Sequence, residues 1–364
     1  MKKISIVGTV GIPAKYGGFE TLVENLTKHL SVKYDITVFC SSKHYNKQLK
    51  VYNNAKLEYI NLNANGIESI PYDAISILKS LRFADIILLL GVSGAIILPL
   101  IKKISKVKVI TNVDGIEWKR AKWNYIAKKF LKLSEQIAAK YSDAIIADNR
   151  AIYEYIRREY NRNSHIIPYG GDHVKKLPLD DTILKEFPFL REKYACTVCR
   201  IEPENNIHLI LQAFSELRNL NLVIVGNWES SKYGKKLKKQ YSNHKNIFLI
   251  NPIYNPEKID KIRGNCQIYI HGHSAGGTNP SLVEAMYLGL PILAYDVIYN
   301  RYTTMGKALY FRSPKDIVNI IKQTQESTLK EIGLTMKEIA KEHYTWKKIC
   351  NKYAKIFENI INLE

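Results

Sequence analysis

The segment Ser274-Ala275-Gly276-Gly277-Thr278-Asn279-Pro280-Ser281-Leu282-Val283-Glu284 has the composition and spacing of an anion seat. Two glycines let a backbone approach phosphate oxygens closely, and Pro280 suits a first helical turn with Asn279 or Thr278 as its cap. The N-terminus of such a helix carries partial positive charge. Glu284 falls about one turn into it, where its carboxylate can accept hydrogen bonds from a ribose diol. A second candidate follows the first apolar run: Gly8-Thr9-Val10-Gly11-Ile12-Pro13-Ala14-Lys15-Tyr16-Gly17-Gly18-Phe19-Glu20, rich in glycine, with Lys15 ahead of a helix. Its N–H groups and helix dipole could meet an anion, or the loop could be a turn without ligand. It is not Gly-x-Gly-x-x-Gly, and the next strand ends in Cys40-Ser41-Ser42 without the acidic residue that grips a dinucleotide ribose. Nicotinamide cofactors are therefore not expected.

Both loops need strands to carry them. Ile4 to Val7, Asp35 to Cys40, Leu57 to Ile60, Ile86 to Leu90, Val107 to Asn112 and Ala144 to Ala147 are short apolar runs alternating with helical patterns. That alternation predicts βαβ units and a parallel sheet. His165 to Asp172 ends in a proline and two glycines, as a hinge would, and the alternation then restarts with Ala195 to Val198, Asn221 to Val225, Ile247 to Leu249, Ile268 to His271 and Ile292 to Ala294. A chain of 364 residues exceeds the usual reach of one core. The expected organisation is an N-terminal domain over 1–170, a C-terminal domain over 171–344, a cleft between them, and a last helix over 345–364 returning to the first.

Composition narrows the setting. Lys2-Lys3 runs straight into the first strand, so no signal peptide is expected. The apolar run Ile86 to Ile101 is interrupted by Gly91, Gly94 and Pro99, and reads as strand, turn and helix start rather than a membrane span. Cys196 and Cys199 lie on opposite faces of a strand, which suits neither a shared metal nor a redox pair and fits the cytoplasm. The net charge of +20 calls for an anionic partner or surface. Trp118 to Tyr141 carries seven Lys or Arg against one Glu, with Trp118, Trp123, Tyr125, Phe130 and Leu131 interleaved. It reads either as a stretch lying on an anionic bilayer or as an amphipathic helix packed on its own domain.

Four segments, spread in order over both halves, resemble the retaining GT-B glycosyltransferases of family 4, and more narrowly the bacterial β-1,4-rhamnosyltransferases of capsule and cell-wall polysaccharide synthesis. They are Gly11 to Thr21, Asp114 to Trp123, Arg200 to Asn206, and His271 to Glu284. The resemblance implies a GT-B fold, α/β, with two Rossmann-like domains whose parallel sheets face a central cleft. It implies that Glu284 binds the nucleotide ribose, that Arg200 neutralises the donor diphosphate, and that Gly17 and Gly18 approach the donor phosphates and the acceptor. Gly276, Gly277, Thr278 and Asn279 complete the donor site. Two positions depart from the family pattern: the first glutamate of the Glu-x7-Glu motif falls at Gly276, and the usual diphosphate lysine at Asn205. The rhamnosyltransferase-like sequences show the same kind of replacement.

The reaction so implied moves a sugar, with retention, from dTDP-L-rhamnose to a saccharide on a lipid diphosphate at the inner face of the membrane. No metal cofactor and no nucleic-acid partner are expected. Another UDP-, GDP- or dTDP-sugar is the nearer alternative, and a non-enzymatic polyanion-binding protein the distant one. Asp114 follows a strand, so its carboxylate either orients or deprotonates the acceptor hydroxyl, or simply bonds its own backbone in a turn. Lys15 and Tyr16 belong to the acceptor side. Glu117, Arg120 and Lys122 either contact an acceptor pyrophosphate or are solvated helix charges. His271 and His273 have the spacing of metal ligands but no third ligand nearby, which favours substrate hydrogen bonding or packing.

Overall fold

A computed structural model describes residues 1–15, 17–120 and 123–362. It divides into two compact units: Met1–Tyr169 with Trp346–Glu364, and Gly170–Thr345.

The first unit runs β1 (Lys3–Val7), α1 (Gly18–Leu30), β2 (Asp35–Ser41), β3 (Val51–Tyr52), β4 (Ala55–Ile60), α2 (Ser69–Ser80), β5 (Ile86–Leu90), α3 (Leu98–Ile104), β6 (Lys108–Asn112), α4 (Tyr125–Tyr141), β7 (Ala144–Ala147), α5 (Arg150–Tyr160) and β8 (His165–Ile166). The sheet order is β3-β4-β2-β1-β5-β6-β7-β8. Every pairing is parallel except β3 with β4, a short antiparallel edge that the sequence patterning does not reveal. All five residues of β5 are buried, as expected for a parallel strand covered on both faces. The C-terminal helix Trp346–Ile361 lays Ile349, Tyr353, Phe357 and Ile360 into the core formed by Ile4, Ile6, Leu88 and Ile110.

The second unit runs α6 (Asp181–Glu186), β9 (Tyr194–Val198), α7 (Ile207–Glu216), β10 (Asn221–Val225), α8 (Lys232–Tyr241), β11 (Ile247–Ile250), α9 (Pro256–Gly264), β12 (Ile268–His271), α10 (Pro280–Tyr287), β13 (Ile292–Tyr295), α11 (Ile298–Thr303), β14 (Leu309–Phe311), α12 (Pro314–Gln323) and α13 (Glu326–His343). Its sheet order is β11-β10-β9-β12-β13-β14, parallel at every pairing. Strand alternation divides the core between the two faces. Cys196 and Tyr269 pack with Met286 on one, Ala195 and Ile270 with Phe214 on the other.

The basic stretch differs from the helix anticipated from Trp118. Glu117–Lys119 is a single 3-10 turn, and α4 starts only at Tyr125, where the Asn124 side chain accepts the Ala127 N–H at 2.9 Å. Asn is a strong cap, so the helix begins behind it. Trp118 turns inward, its Nε1 donating to the Tyr155 hydroxyl at 3.2 Å and its ring lying 4.8 Å from Lys132 Nζ. Tyr125 and Ile126 face water instead, 70% and 77% exposed.

Candidate functional site

Open α/β sheets bind ligands beyond the carboxyl ends of their strands, at the point where strand order reverses. In the second unit that point is β9, flanked by β10 on one side and β12 on the other. Arg200 stands exposed just past β9, and the loop from His271 into α10 leaves β12.

The loop after β12 is held open by close backbone packing. Gly272 runs so near the turn before α7 that a Cβ there would lie 2.0 Å from the Asn205 carbonyl oxygen, so only glycine fits. Gly276 has φ +88°, the left-handed region, and redirects the chain toward α10. The cap is Asn279: its Oδ1 accepts the Ser281 N–H at 3.0 Å and the Ser281 hydroxyl at 2.8 Å, with Pro280 in the first turn. Thr278 is buried and Gly277 partly exposed.

Asn205, at the diphosphate-lysine position, is engaged within the protein. It is 5% exposed, its amide NH2 donates to the Arg200 carbonyl at 2.7 Å, and its Oδ1 pairs with His273 Nδ1 at 2.8 Å. An amide bonded at both ends shapes the Arg200 turn and fixes the His273 ring. Asn300 ties the same loop from the other side, its NH2 donating to the His273 carbonyl at 2.9 Å. His271, at the end of β12, is buried with no partner on Nε2, and burial pushes its imidazole down to about 3. It is neutral at physiological pH and belongs to the packing.

Glu284 has partners that sequence reading missed. Arg263 of α9 ion-pairs it through Nη1, and His173 Nε2 lies 3.2 Å from its Oε1. Burial pushes the carboxyl up, but Arg263 and then His173 pull it down further, to about 2. It is a fixed anion one turn into a helix whose first turn is positive. Chemically, the Glu284 carboxylate can accept from hydroxyl groups, and the α10 start and the exposed Arg200 past β9 can each meet an anion.

In the first unit the reversal falls at β1, between β2 and β5. Two N–H groups of its glycine loop already bond carboxylates, and that of Gly11 bonds the Thr9 hydroxyl at 3.3 Å. Glu20 accepts from Val10 N–H at 2.8 Å and Thr9 Oγ1 at 2.9 Å, while Glu24 accepts from Ala14 N–H. These carboxylates occupy part of what looked like a phosphate loop. Lys15 Nζ donates to the His44 carbonyl at 2.6 Å and sits 4.8 Å from the Tyr45 ring centroid. Gly17 has φ +130° ahead of α1, which Gly18 opens. Tyr16 lies outside the described residues.

Asp114 sits past β6 at φ +58°, a left-handed conformation that Asp tolerates. Its N–H bonds the Asn112 side chain at 3.0 Å, and the Tyr169 hydroxyl donates to its Oδ1 at 3.4 Å. The turn is bonded by Asn112, itself held by Tyr353 at 2.9 Å, rather than by the Asp114 carboxylate alone. Glu117 and Arg120 differ from the solvated helix charges that were one reading of them: they pair at 2.9 Å, Arg120 is 9% exposed, and Trp123 Nε1 donates to Glu117 at 3.0 Å. They are neither solvated nor unengaged. Lys122 lies outside the described residues.

Residues 180–326 match the family Glycosyl transferases group 1, and residues 1–172 match a domain of unknown function, DUF1972. An uncharacterized glycosyltransferase of Methanocaldococcus jannaschii is 27% identical over 401 residues, covering all of both chains. Among solved structures, sucrose-phosphate synthase from Thermosynechococcus elongatus superposes with a TM-score of 0.85 at 14% identity over the full length of both chains. HepE from Anabaena, solved in complex with UDP-glucose, gives 0.76 at 13% identity, covering 99% of this chain and 100% of that one. The fold is GT-B.

Proposed function

We propose that this chain, a glycosyltransferase of GT-B fold using a nucleotide sugar, transfers L-rhamnose from dTDP-L-rhamnose, with retention, to a saccharide carried on a lipid diphosphate. The observation that carries the donor reading is Glu284, a largely buried carboxylate held ionised by Arg263 and His173 one turn into α10, the helix that the Gly276-Gly277 segment leads into. It accepts a hydrogen bond from the sugar of the nucleotide, which in a dTDP donor is the 3′-hydroxyl. Arg200 and the start of α10 stabilise the diphosphate as the anomeric C–O bond breaks and the electron pair leaves with dTDP. The acceptor oxygen bonds the anomeric carbon on the same face. Its proton passes to the departing phosphate oxygen, with Asp114 orienting the hydroxyl. No metal is needed in this scheme, so chelation should leave turnover unchanged. Asp114→Asn should lower turnover on the order of 10³-fold while donor affinity is kept; near-normal turnover removes its role.

Rhamnose is favoured by Gly276, which stands where related transferases of family 4 carry a carboxylate for donor-sugar hydroxyls. A UDP-glucose donor is the second reading, favoured by the HepE complex. A screen of dTDP-rhamnose, UDP-glucose, UDP-N-acetylglucosamine and GDP-mannose by thermal shift and hydrolysis decides. If dTDP-rhamnose neither stabilises nor reacts, the rhamnosyl assignment falls. The same proposal places the protein in the cytoplasm, peripheral on the inner face of the membrane, with exposed Tyr125, Ile126 and Lys129 toward anionic lipid. No helix among the described residues is long and apolar enough to cross a membrane.

A further inference from the structure

Asp260 and Arg263 lie one turn apart on α9, and their side chains are 7% and 3% exposed. Arg263 reaches two carboxylates at once: Nη2 bonds Asp260 Oδ1 at 3.0 Å, and Nη1 crosses to Glu284 on α10. Asp260 is anchored in turn, its Oδ2 accepting the Lys175 N–H at 2.8 Å. Replacing such a buried ionic triad by apolar residues is often neutral or stabilising, so stability alone gives no reason for it. Glu284 is the member nearest solvent, 16% exposed against 3% for Arg263. The row Lys175, Asp260, Arg263, Glu284 therefore runs from backbone to an accessible carboxylate.

We propose that Arg263, anchored by Asp260, is a positioning residue that sets the orientation in which Glu284 accepts the ribose hydroxyl of the nucleotide donor. The inference rests on the reading of Glu284 as the ribose contact. A planar guanidinium bonded on two sides cannot turn, so it fixes the plane of the carboxylate it holds. Lysine would keep the charge and lose the plane. His173, on the other carboxylate oxygen, completes the clamp.

The test is titration calorimetry with dTDP and with its 3′-deoxy analogue, or with UDP and 3′-deoxy-UDP if the donor screen selects uridine. Wild type should prefer the hydroxyl-bearing nucleotide by about tenfold, the scale of one hydrogen bond to a charged group. Glu284→Ala should abolish that preference. Arg263→Lys should reduce it to about twofold or less while binding of the 3′-deoxy nucleotide stays as in wild type. A wild-type preference retained in Arg263→Lys overturns the proposal and leaves Glu284 as the ribose contact. Equal losses for both nucleotides also overturn it, since they report a structural role. No preference in wild type, or an unchanged one in Glu284→Ala, overturns the Glu284 reading itself. Should Arg263→Lys not fold, Asp260→Asn reads the same ratio, and an unaltered ratio there overturns the proposal.

Discussion

Both glycine-rich loops leave a parallel strand and open a helix, the first after β1 at the reversal point of its sheet and the second after β12 beside β9, yet they are built oppositely. The loop after β1 turns its amides inward, onto Glu20 and Glu24 of its own helix. The loop after β12 caps its helix with Asn279 and presents a carboxylate braced from behind by Arg263. Glycine content alone therefore does not show which amides remain for a ligand, since a carboxylate of the same unit can already sit on them.

That contrast can be broken by substitution. Removing the internal anion in Glu20→Ala leaves the Val10 N–H and the Thr9 hydroxyl without their acceptor, and should cost about 2 kcal/mol in chemical denaturation. Donor affinity should change by about twofold at most. A large loss of affinity would mean that the Glu20-braced part of the loop, and not only Gly17 and Gly18, supports the donor.

Acid sharpens the contrast, because the second loop carries the depressed groups. His271 falls from the ordinary 6.5 to about 3 in the fold, so the unfolded chain takes the proton first. Its stabilising contribution is present above 6.5 and is lost as pH falls toward 3. Between pH 7 and pH 5 this amounts to about 2 kcal/mol, and His271→Phe should flatten that part of a urea-midpoint profile. Glu284 acts lower, its contribution present above the ordinary 4.5 and lost as pH falls toward about 2. The smallest effect is that of the cap: Asn279→Ala should cost about 1 kcal/mol, read as a lowered Tm.

How much of this could be seen in the sequence follows from range. The cap at Asn279, the Pro280 helix start and the fully buried β5 rest on local signals, and all are present. The α/β alternation likewise depends on short-range periodicity. Arg263 and Glu284 are 21 positions apart and meet only because α9 and α10 pack beside β12, which no spacing rule reports. Asn205 was legible as a departure from the diphosphate lysine, but its burial and its bonds to the Arg200 carbonyl and His273 were not. Glu117 and Arg120 were legible as charges three positions apart, a spacing that allows pairing, but the burial of Arg120 was not. Asn112 bonds Asp114 from only two residues away. That contact was local and escaped notice because an Asp-Gly pair suggests an aspartate turn first.

If Glu284 holds the donor at α10, calorimetric titration of dTDP-L-rhamnose should show a loss of about tenfold or more in affinity for Glu284→Ala and near wild-type affinity for Glu20→Ala. Unchanged affinity in Glu284→Ala, or a collapse confined to Glu20→Ala, rules out that role for Glu284.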